Sequence, residues 1–372
     1  MPSFCWRRIL WGRGDAVCWE RGPEGGPQYP YPIPPPRRGL SPGALVTRAV
    51  PCILCCVRVR QDGDGDRVRK QDGHGCFQTL PLPTVSGTCA ERRRGSLQSR
   101  GRPGYRPSIL MLHGFSAHKD MWLSIVKFLP KNLHLVCVDM PGHEGTTRSA
   151  LDDYSINGQA KRIHQFVECI NLNRRPFHLV GTSMGGNVAG VYAAQYPEDI
   201  CSLTLICPAG LPSVTDSKFI KQLRELKESE RIDRIPLIPS TPEEMADMLK
   251  LCSYVRFKVP QQILQGLVDV RIPHNDFYRK LFLEIANEKS RHSLHENMSK
   301  IKVPTQVIWG RQDQVLDVSG ANVLSSAIPD CHVYILENCG HSVVVERPRK
   351  TANLILEFLA LLHNTDNNKK QA

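Results

Sequence analysis

The sequence predicts an α/β fold, in which a mostly parallel sheet carries helices on both faces and a helical insertion, within residues 101–372. Six short apolar runs, each flanked by turn residues, alternate there with amphipathic segments. Strands that are buried on both faces are continuously apolar, as in parallel sheets, and regular alternation with helices indicates the α/β class. Residues 1–100 show no sustained period of 2 or 3.6, so the sequence predicts no packed core there.

The individual elements follow from these apolar runs. Strands are predicted at residues 108–113, 133–139, 177–182, 203–207, 304–309 and 332–336. Residues 155–171 and 186–196 predict helices, because their apolar side chains recur at helical spacings. The last helix is predicted to begin at Pro348, since proline is favoured in the first helical turn.

Residues 211–300 interrupt the alternation, because their pattern is helical and offers few strand candidates. Thr241, Pro242 and Glu244 match a capping box at the start of a helix. Apolar residues then recur at helical spacings between Val259 and Ile285. Ordinary core helices would give this pattern; the functional hypothesis is a helical lid whose apolar face lines a lipid-sized pocket.

Charge and composition narrow the classes of function. Of the 372 residues, 48 are Lys or Arg and 36 are Asp or Glu, which gives a net charge of +12. Residues 1–100 contain 16 of the basic and 8 of the acidic residues, together with 12 Pro and 13 Gly. We expect that segment to be irregular and disordered. Because the charge is concentrated in it, we expect no nucleic-acid partner.

Residues 181–185, Gly-Thr-Ser-Met-Gly, match the G-x-S-x-G pattern of a nucleophile elbow. Such an elbow needs a strand, a tight turn and a helix, and these elements are predicted around Ser183. The turn raises the serine hydroxyl above the sheet edge, where the helix N-terminus favours developing negative charge. A glycine-rich turn with an incidental serine would match the same pattern, so the hypothesis also requires partners for Ser183.

A serine hydroxyl is a useful nucleophile only beside a base and an orienting acid. Asp313 directly follows a predicted strand, and His341 lies between the next strand and the last helix. Parallel strands bring their carboxyl ends to one edge, so Ser183, Asp313 and His341 are predicted to form a catalytic triad. Asp317 is the alternative acid. The non-catalytic explanation is a turn-forming Asp313 and a loop His341 bonded to backbone.

A tetrahedral acyl-transfer intermediate also needs two N–H donors for its oxyanion. Met184, directly after the nucleophile, supplies one backbone N–H. The second is assigned to the backbone of Phe115, in the turn that follows the first predicted strand.

The cysteines give no pattern for a metal site. Cys52, Cys55 and Cys56 form a cluster without a second ligand pair at zinc spacing. We therefore expect neither a metal nor an organic cofactor.

Taken together, these stretches resemble the α/β-hydrolase family. The resemblance covers about residues 100–372 and rests on residues 113–115, 139–145 and 339–341, the elbow at Ser183, and Asp313. Within the family, the sequence is similar to the membrane-anchored monoacylglycerol lipases of the α/β-hydrolase domain-containing group. The resemblance implies a catalytic triad of Ser183, Asp313 and His341, the same residues that the motifs above predict.

The resemblance also implies an activity. A carboxylic ester hydrolase of this group would cleave monoacylglycerols such as the endocannabinoid 2-arachidonoylglycerol through an acyl-enzyme. Lysophospholipids, bis(monoacylglycero)phosphate, C–C bond substrates and acyl transfer remain alternatives on the same scaffold. The expected partner is a membrane surface, and the expected location is an endosomal or lysosomal membrane, on its cytosolic side.

Residues 1–100 depart from the family pattern, which begins with a transmembrane helix and a strand pair at the sheet edge. The longest apolar run there, residues 49–57, contains Pro51 and has about half of the ~20 residues that a membrane-crossing helix needs. The first 14 residues lack the apolar stretch of a secretory signal. We therefore expect no anchor, no edge strand pair and an uncovered sheet edge.

Overall fold

The computed structural model describes residues 107–146, 148–149, 152–213, 215–229, 234–256 and 258–368. Three expectations lie outside these residues and stay predictions: the irregular segment at residues 1–100, the cluster of Cys52, Cys55 and Cys56, and the loss of an anchor and edge strands. Among the described residues, no helix combines the length and the apolar character that crossing a bilayer requires.

Six strands form one parallel sheet. They are β1 (Ile109–Leu112), β2 (Leu135–Val138), β3 (Phe177–Thr182), β4 (Ile200–Ile206), β5 (Thr305–Gly310) and β6 (Cys331–Leu336). Their order across the sheet is β2-β1-β3-β4-β5-β6, and every neighbouring pair is parallel. The predicted α/β class with a parallel sheet is therefore confirmed.

Burial explains why the strands could be predicted from apolar runs. Every residue of β1, β3 and β5 is buried, whereas β6 at the edge is mostly half-exposed. The predicted start of β4 is late, because the strand begins at Ile200 rather than at residue 203. Ile200 pairs with Phe177 of β3 across a register shift, so the hydrogen-bond ladder extends beyond the apolar run.

Helices cover both faces of the sheet. They are α1 (Leu123–Val126), α2 (Ile156–Cys169), α3 (Met184–Gln195), α4 (Lys218–Glu228), α5 (Pro242–Cys252), α6 (Gln261–Ile285), α7 (Ser293–Asn297), α8 (Gly320–Ala327), α9 (Val343–Glu346) and α10 (Pro348–Asn368). His178 in β3 lies against Phe358 of α10, with ring centroids 6.1 Å apart. A Cβ on Gly181 of the same strand would lie 2.7 Å from the Cβ of Ala189 in α3. Side chains alternate along a strand, so α10 and α3 lie on opposite faces.

Helices α4 to α7 fill the connection between β4 and β5, and the described residues of that connection contain no strand. Helix α5 begins where the sequence predicts, since the N–H of Glu244 donates to the Thr241 hydroxyl at 3.2 Å. The Glu244 carboxylate accepts from the N–H of Ser240 at 2.7 Å, one residue before the cap, so the capping box is shifted by one residue. A lid function for residues 211–300 stays a prediction.

Candidate active site

Ser183 occupies the tight turn between β3 and α3. Its backbone dihedrals are φ 54° and ψ −121°, and such sparsely populated conformations cost about 1–3 kcal/mol in a non-glycine residue. The Ser183 carbonyl accepts hydrogen bonds from the N–H groups of Gly186, Asn187 and Ala209, at 3.0, 3.1 and 3.0 Å. These bonds hold the strained turn, and they fix Ser183 at the N-terminus of α3 and the carboxyl edge of the sheet.

Two glycines allow the backbone to approach this turn. A Cβ on Gly181 would lie 2.2 Å from the carbonyl oxygen of Gly185, and a Cβ on Gly185 would lie 2.3 Å from that of His113. Both contacts are with backbone atoms, which cannot rotate away as a side chain can. Strand β3, helix α3 and the end of β1 therefore meet at a separation that only glycine permits.

We expect Gly185→Ala to destabilise the fold by about 1–3 kcal/mol, because the added methyl group overlaps the carbonyls of Leu112 and His113. Gly266→Ala in α6 is the matched control. Apart from its chain neighbours and the backbone of its own helix, nothing lies within 4 Å of a Cβ there, and the change should stabilise the helix by up to about 1 kcal/mol. Thermal unfolding measures both variants. Equal melting temperatures would contradict the backbone overlap at position 185.

Asp313 and His341 are hydrogen-bonded to each other. His341 Nδ1 lies 2.8 Å from Asp313 Oδ2; the Asp313 side chain is fully buried and the His341 side chain is 11% exposed. Asp313 Oδ1 accepts from the N–H groups of Val315 and Leu316 at 2.8 and 2.9 Å, and Trp309 Nε1 donates to Oδ2 at 3.1 Å. A carboxylate only accepts, so Nδ1 of His341 is the donor, and in the neutral ring Nε2 carries no proton and can act as a base.

Asp317, the alternative acid, has other partners. Its Oδ2 accepts from the Thr215 hydroxyl at 2.9 Å, and its Oδ1 accepts from the N–H of Ser319 at 3.0 Å. The structure therefore brings Asp313, and not Asp317, against the His341 ring.

Ser183 lies at the same sheet edge as the Asp313–His341 pair. The N–H of Ser183 donates to the carbonyl of Ile206, the last residue of β4, at 3.0 Å. Cys207 is the next residue, and its Sγ lies within 4.8 Å of a carboxylate oxygen of Asp313 and a ring nitrogen of His341. The ends of β3, β5 and β6 thus place Ser183, Asp313 and His341 at one edge of the sheet, with β4 between the strand of Ser183 and the strands of the other two.

The close approach of Cys207, Asp313 and His341 raises the question of a metal ion. Burial, together with the nearby Asp313 charge, raises the pKa of the Cys207 thiol well above its usual value. A thiol that stays protonated is a poor metal ligand, and the other two groups are already bonded to each other. Nothing in this cluster favours a metal, and the expected absence of one stays a prediction.

Phe115 and Met184 both lie beside Ser183. Met184 is the first residue of α3 and directly follows the serine. A Cβ on Gly114 would lie 3.7 Å from the Ser183 hydroxyl oxygen, and Phe115 is the next residue along that loop. The two segments predicted to supply oxyanion donors therefore adjoin the nucleophile.

Two buried histidines fix the loop that carries Phe115, a role that the sequence pattern does not show. His143 Nε2 accepts the N–H of Ser116 at 3.0 Å, and His113 Nε2 accepts the N–H of Met140 at 2.9 Å. Burial lowers the pKa of His113 to about 4 and the pKa of His143 well below its usual value. Both rings therefore stay neutral and keep a nitrogen that can accept these bonds.

Comparison with known proteins agrees with this arrangement. A family model described as alpha/beta hydrolase fold matches residues 107–348. The chain belongs to the α/β-hydrolase family. Its triad candidates occur in the order Ser183, Asp313 and His341, which is the chain order typical of α/β-hydrolases. The hydrolase fold predicted from the sequence is confirmed.

The similarity to individual α/β-hydrolases is high. Monoacylglycerol lipase ABHD6 of Homo sapiens is 78% identical over 271 residues, which are 73% of this chain and 80% of that protein. Monoacylglycerol lipase abhd6-A of Xenopus laevis is 75% identical over 272 residues, 73% of this chain and 81% of that protein. A solved structure of a membrane phospholipase A, described as a novel bacterial virulence factor, has a TM-score of 0.63 and 32% identity, and the match covers 70% of this chain and 80% of that chain. The predicted resemblance to monoacylglycerol lipases is confirmed.

In this α/β-hydrolase, helix α6 reaches the loop that carries Phe115. The Phe115 ring packs edge to face against Tyr278 and Phe282, with ring centroids 5.9 and 5.4 Å apart. Arg271 of the same helix donates to the Ser116 hydroxyl. The helical insertion therefore places an aromatic wall and one arginine directly beside the candidate oxyanion loop.

Proposed function

We propose that this α/β-hydrolase is a carboxylic ester hydrolase that cleaves monoacylglycerols into glycerol and fatty acid. The observation that carries the proposal is the close similarity to Monoacylglycerol lipase ABHD6. The hydrogen bond between Asp313 and His341, at the sheet edge that also carries the strained Ser183, supports it. Ester hydrolysis through an acyl-enzyme needs a nucleophile, a base and an orienting acid in such an arrangement.

In the proposed first step, the Ser183 hydroxyl oxygen attacks the ester carbonyl carbon while His341 Nε2 takes the hydroxyl proton. Asp313 holds Nδ1 of the ring and stabilises the imidazolium that forms. The tetrahedral intermediate then collapses: the bond between carbon and the glycerol oxygen breaks, and His341 returns the proton to that oxygen. Water, deprotonated by His341, then attacks the acyl carbonyl carbon. The bond between that carbon and the Ser183 oxygen breaks, His341 returns the proton to the serine oxygen, and the fatty acid is released.

The backbone N–H groups of Phe115 and Met184 are proposed to bind the oxyanion in both steps. Loss of one such donor typically costs about 10²–10³ in rate, so the loop that carries Phe115 has to be held firmly. The bond from the N–H of Ser116 to the buried His143 supplies that constraint on the residue after Phe115.

The helical insertion is proposed to be a lid that holds the acyl chain. Its apolar residues meet Phe115 at the candidate site, and an apolar wall excludes water and suits a long hydrocarbon chain. These residues belong to an apolar cluster that also includes Tyr154 from outside the insertion. Its buried members are Tyr154, Ile235, Ile238, Tyr278 and Leu281, and Phe115, Phe277 and Phe282 pack against them. Because its proposed substrates are lipids, the enzyme is proposed to act at a membrane surface.

A second candidate substrate is the ester of a lysophospholipid, which the similarity to a membrane phospholipase A favours. Both candidates share the acyl ester and differ in the group that leaves. Bis(monoacylglycero)phosphate contains the same kind of acyl ester and, in addition, a phosphodiester. Transfer of the acyl group to an alcohol would use the same acyl-enzyme with another acceptor.

The test is hydrolysis of 2-oleoylglycerol by the full chain in phosphatidylcholine vesicles, with glycerol and oleate both quantified. We expect equimolar glycerol and oleate, because each turnover breaks one ester bond. The matched control is the oleyl ether of glycerol, which has a similar chain and no carbonyl, and should release nothing. Parallel reactions with lysophosphatidylcholine and with added ethanol distinguish the alternatives. Oleate from the lysophospholipid alone, or ethyl oleate in place of oleate, would overturn the proposal.

A further inference from the structure

Glu346 in α9 lies near the candidate site and has no part in the mechanism above. Its side chain is buried, with 8% of the residue exposed. Oε1 accepts the N–H of Gly340 at 2.9 Å, and Oε2 accepts the N–H groups of Tyr254 and Val255 at 2.8 and 2.9 Å. One carboxylate thus holds the residue before His341 and the connection between α5 and α6.

The two segments also touch each other directly. The N–H of Ser342 donates to the carbonyl of Cys252 at 2.8 Å. A Cβ on Gly340 would lie 2.7 Å from the nitrogen of Tyr254. His341 is therefore flanked on both sides by residues that contact the helical insertion.

The chemistry of the three partners suits a carboxylate. All three are N–H donors that approach from two segments, and an ionised carboxylate has four lone-pair sites and no proton to present. Hydrogen bonds with an ionised acceptor are roughly twice as strong as neutral ones, and a buried N–H without an acceptor is costly. A residue that only filled space here would not need these two oxygens.

We propose that Glu346 is a positioning residue, which fixes the loop of the general base His341 to the α5–α6 connection of the proposed lid. The inference rests on the proposed esterase function. The Glu346 carboxylate acts through the backbone of Gly340 and makes no contact with substrate. It couples the lid to catalysis, because displacement of residues 254–255 would move the loop that carries His341.

Glu346→Gln tests the inference, because it keeps the shape of the side chain and removes one acceptor. Whichever way the amide is turned, its NH₂ group faces an N–H, either that of Gly340 or those of Tyr254 and Val255. We expect kcat per active site on 2-oleoylglycerol to fall by about 10- to 100-fold, as misplacement of a catalytic group by about 1 Å can cost 10²-fold. KM should stay unchanged, because no contact with substrate is lost.

The matched control is Glu337→Gln in the loop that carries His341. Glu337 is 62% exposed and pairs with Arg311 on the surface at 3.0 Å, so kcat and KM should both stay at the wild-type values. Titration with a fluorophosphonate counts the active sites, which separates a slower enzyme from a smaller folded fraction. Glu346→Asp is the second variant: it keeps the charge but is one methylene too short to reach both segments, and its kcat should also fall.

Four outcomes would overturn the inference: an unchanged kcat per active site in Glu346→Gln, a rise in KM alone, an equal loss in Glu337→Gln, or failure of both Glu346 variants to fold. The last outcome would assign Glu346 to the fold as a whole. Failure of the proposed function is distinguishable, because the wild-type chain itself would then release no oleate.

Discussion

Ser183→Ala is expected to reduce the turnover of 2-oleoylglycerol by about 10⁴- to 10⁶-fold, because the nucleophile of the proposed acyl-enzyme is removed. The alanine keeps the Cβ and the backbone conformation at φ 54°, so the three hydrogen bonds to the carbonyl of residue 183 should persist. The melting temperature should therefore stay near that of the wild type. Steady-state hydrolysis and covalent labelling by a fluorophosphonate measure the loss.

Ser325→Ala is the matched control for this substitution. Its hydroxyl donates to the carbonyl of Asn322 at 3.1 Å on the exposed side of α8, away from the candidate site. Both turnover and labelling should stay at the wild-type level. Labelling that persists in Ser183→Ala at the wild-type rate would assign the nucleophile to another residue and contradict the proposed mechanism.

The central strands were predictable because of where they lie in the fold. β3 and β5 are buried on both faces, so their positions in the sequence are continuously apolar and their predicted ends agree with the structure to within a residue. The predicted start of β4 was wrong because the polar Ser202 interrupts the apolar run, whereas the strand continues back to Ile200, which pairs with Phe177 across a register shift. The local apolar pattern thus predicts which segments are buried strands more accurately than it predicts the residues at which a strand begins and ends.

The candidate site was predictable only where a side chain follows a strand end. Ser183, Asp313 and His341 each stand in such a place, and the parallel sheet brings these ends together. The sequence favours Asp313 over Asp317 because Asp313 lies nearer the end of β5. The hydrogen bonds agree with that preference, since Asp313 contacts His341 whereas Asp317 accepts from Thr215.

The residues that hold the site in place were not predictable in this way. Glu346 accepts from the N–H of Tyr254, 92 residues away, and His143 accepts from the N–H of Ser116. Every residue except proline carries such an N–H, so the identity of the donor leaves no trace in the sequence. Such roles emerge only from the tertiary structure.

Asp313→Asn is expected to lower kcat by about 10⁴-fold with little change in the fold. The amide oxygen would take the place of Oδ1, where it can still accept from the N–H groups of Val315 and Leu316. The NH₂ group would then face the indole N–H of Trp309 and Nδ1 of His341. To accept from that group, His341 must carry its proton on Nε2, and the nitrogen that should act as base is then blocked.

Asp317→Asn is the matched control, because it makes the same change four residues further along. Its partners are the Thr215 hydroxyl and the N–H of Ser319, and they do not include His341. We expect its kcat to equal that of the wild type in the same assay. A loss of rate in Asp317→Asn, together with full activity in Asp313→Asn, would reverse the assignment of the acid. The 2.8 Å hydrogen bond between Asp313 and His341 would then not serve catalysis, and His341 would require a different acid as its partner.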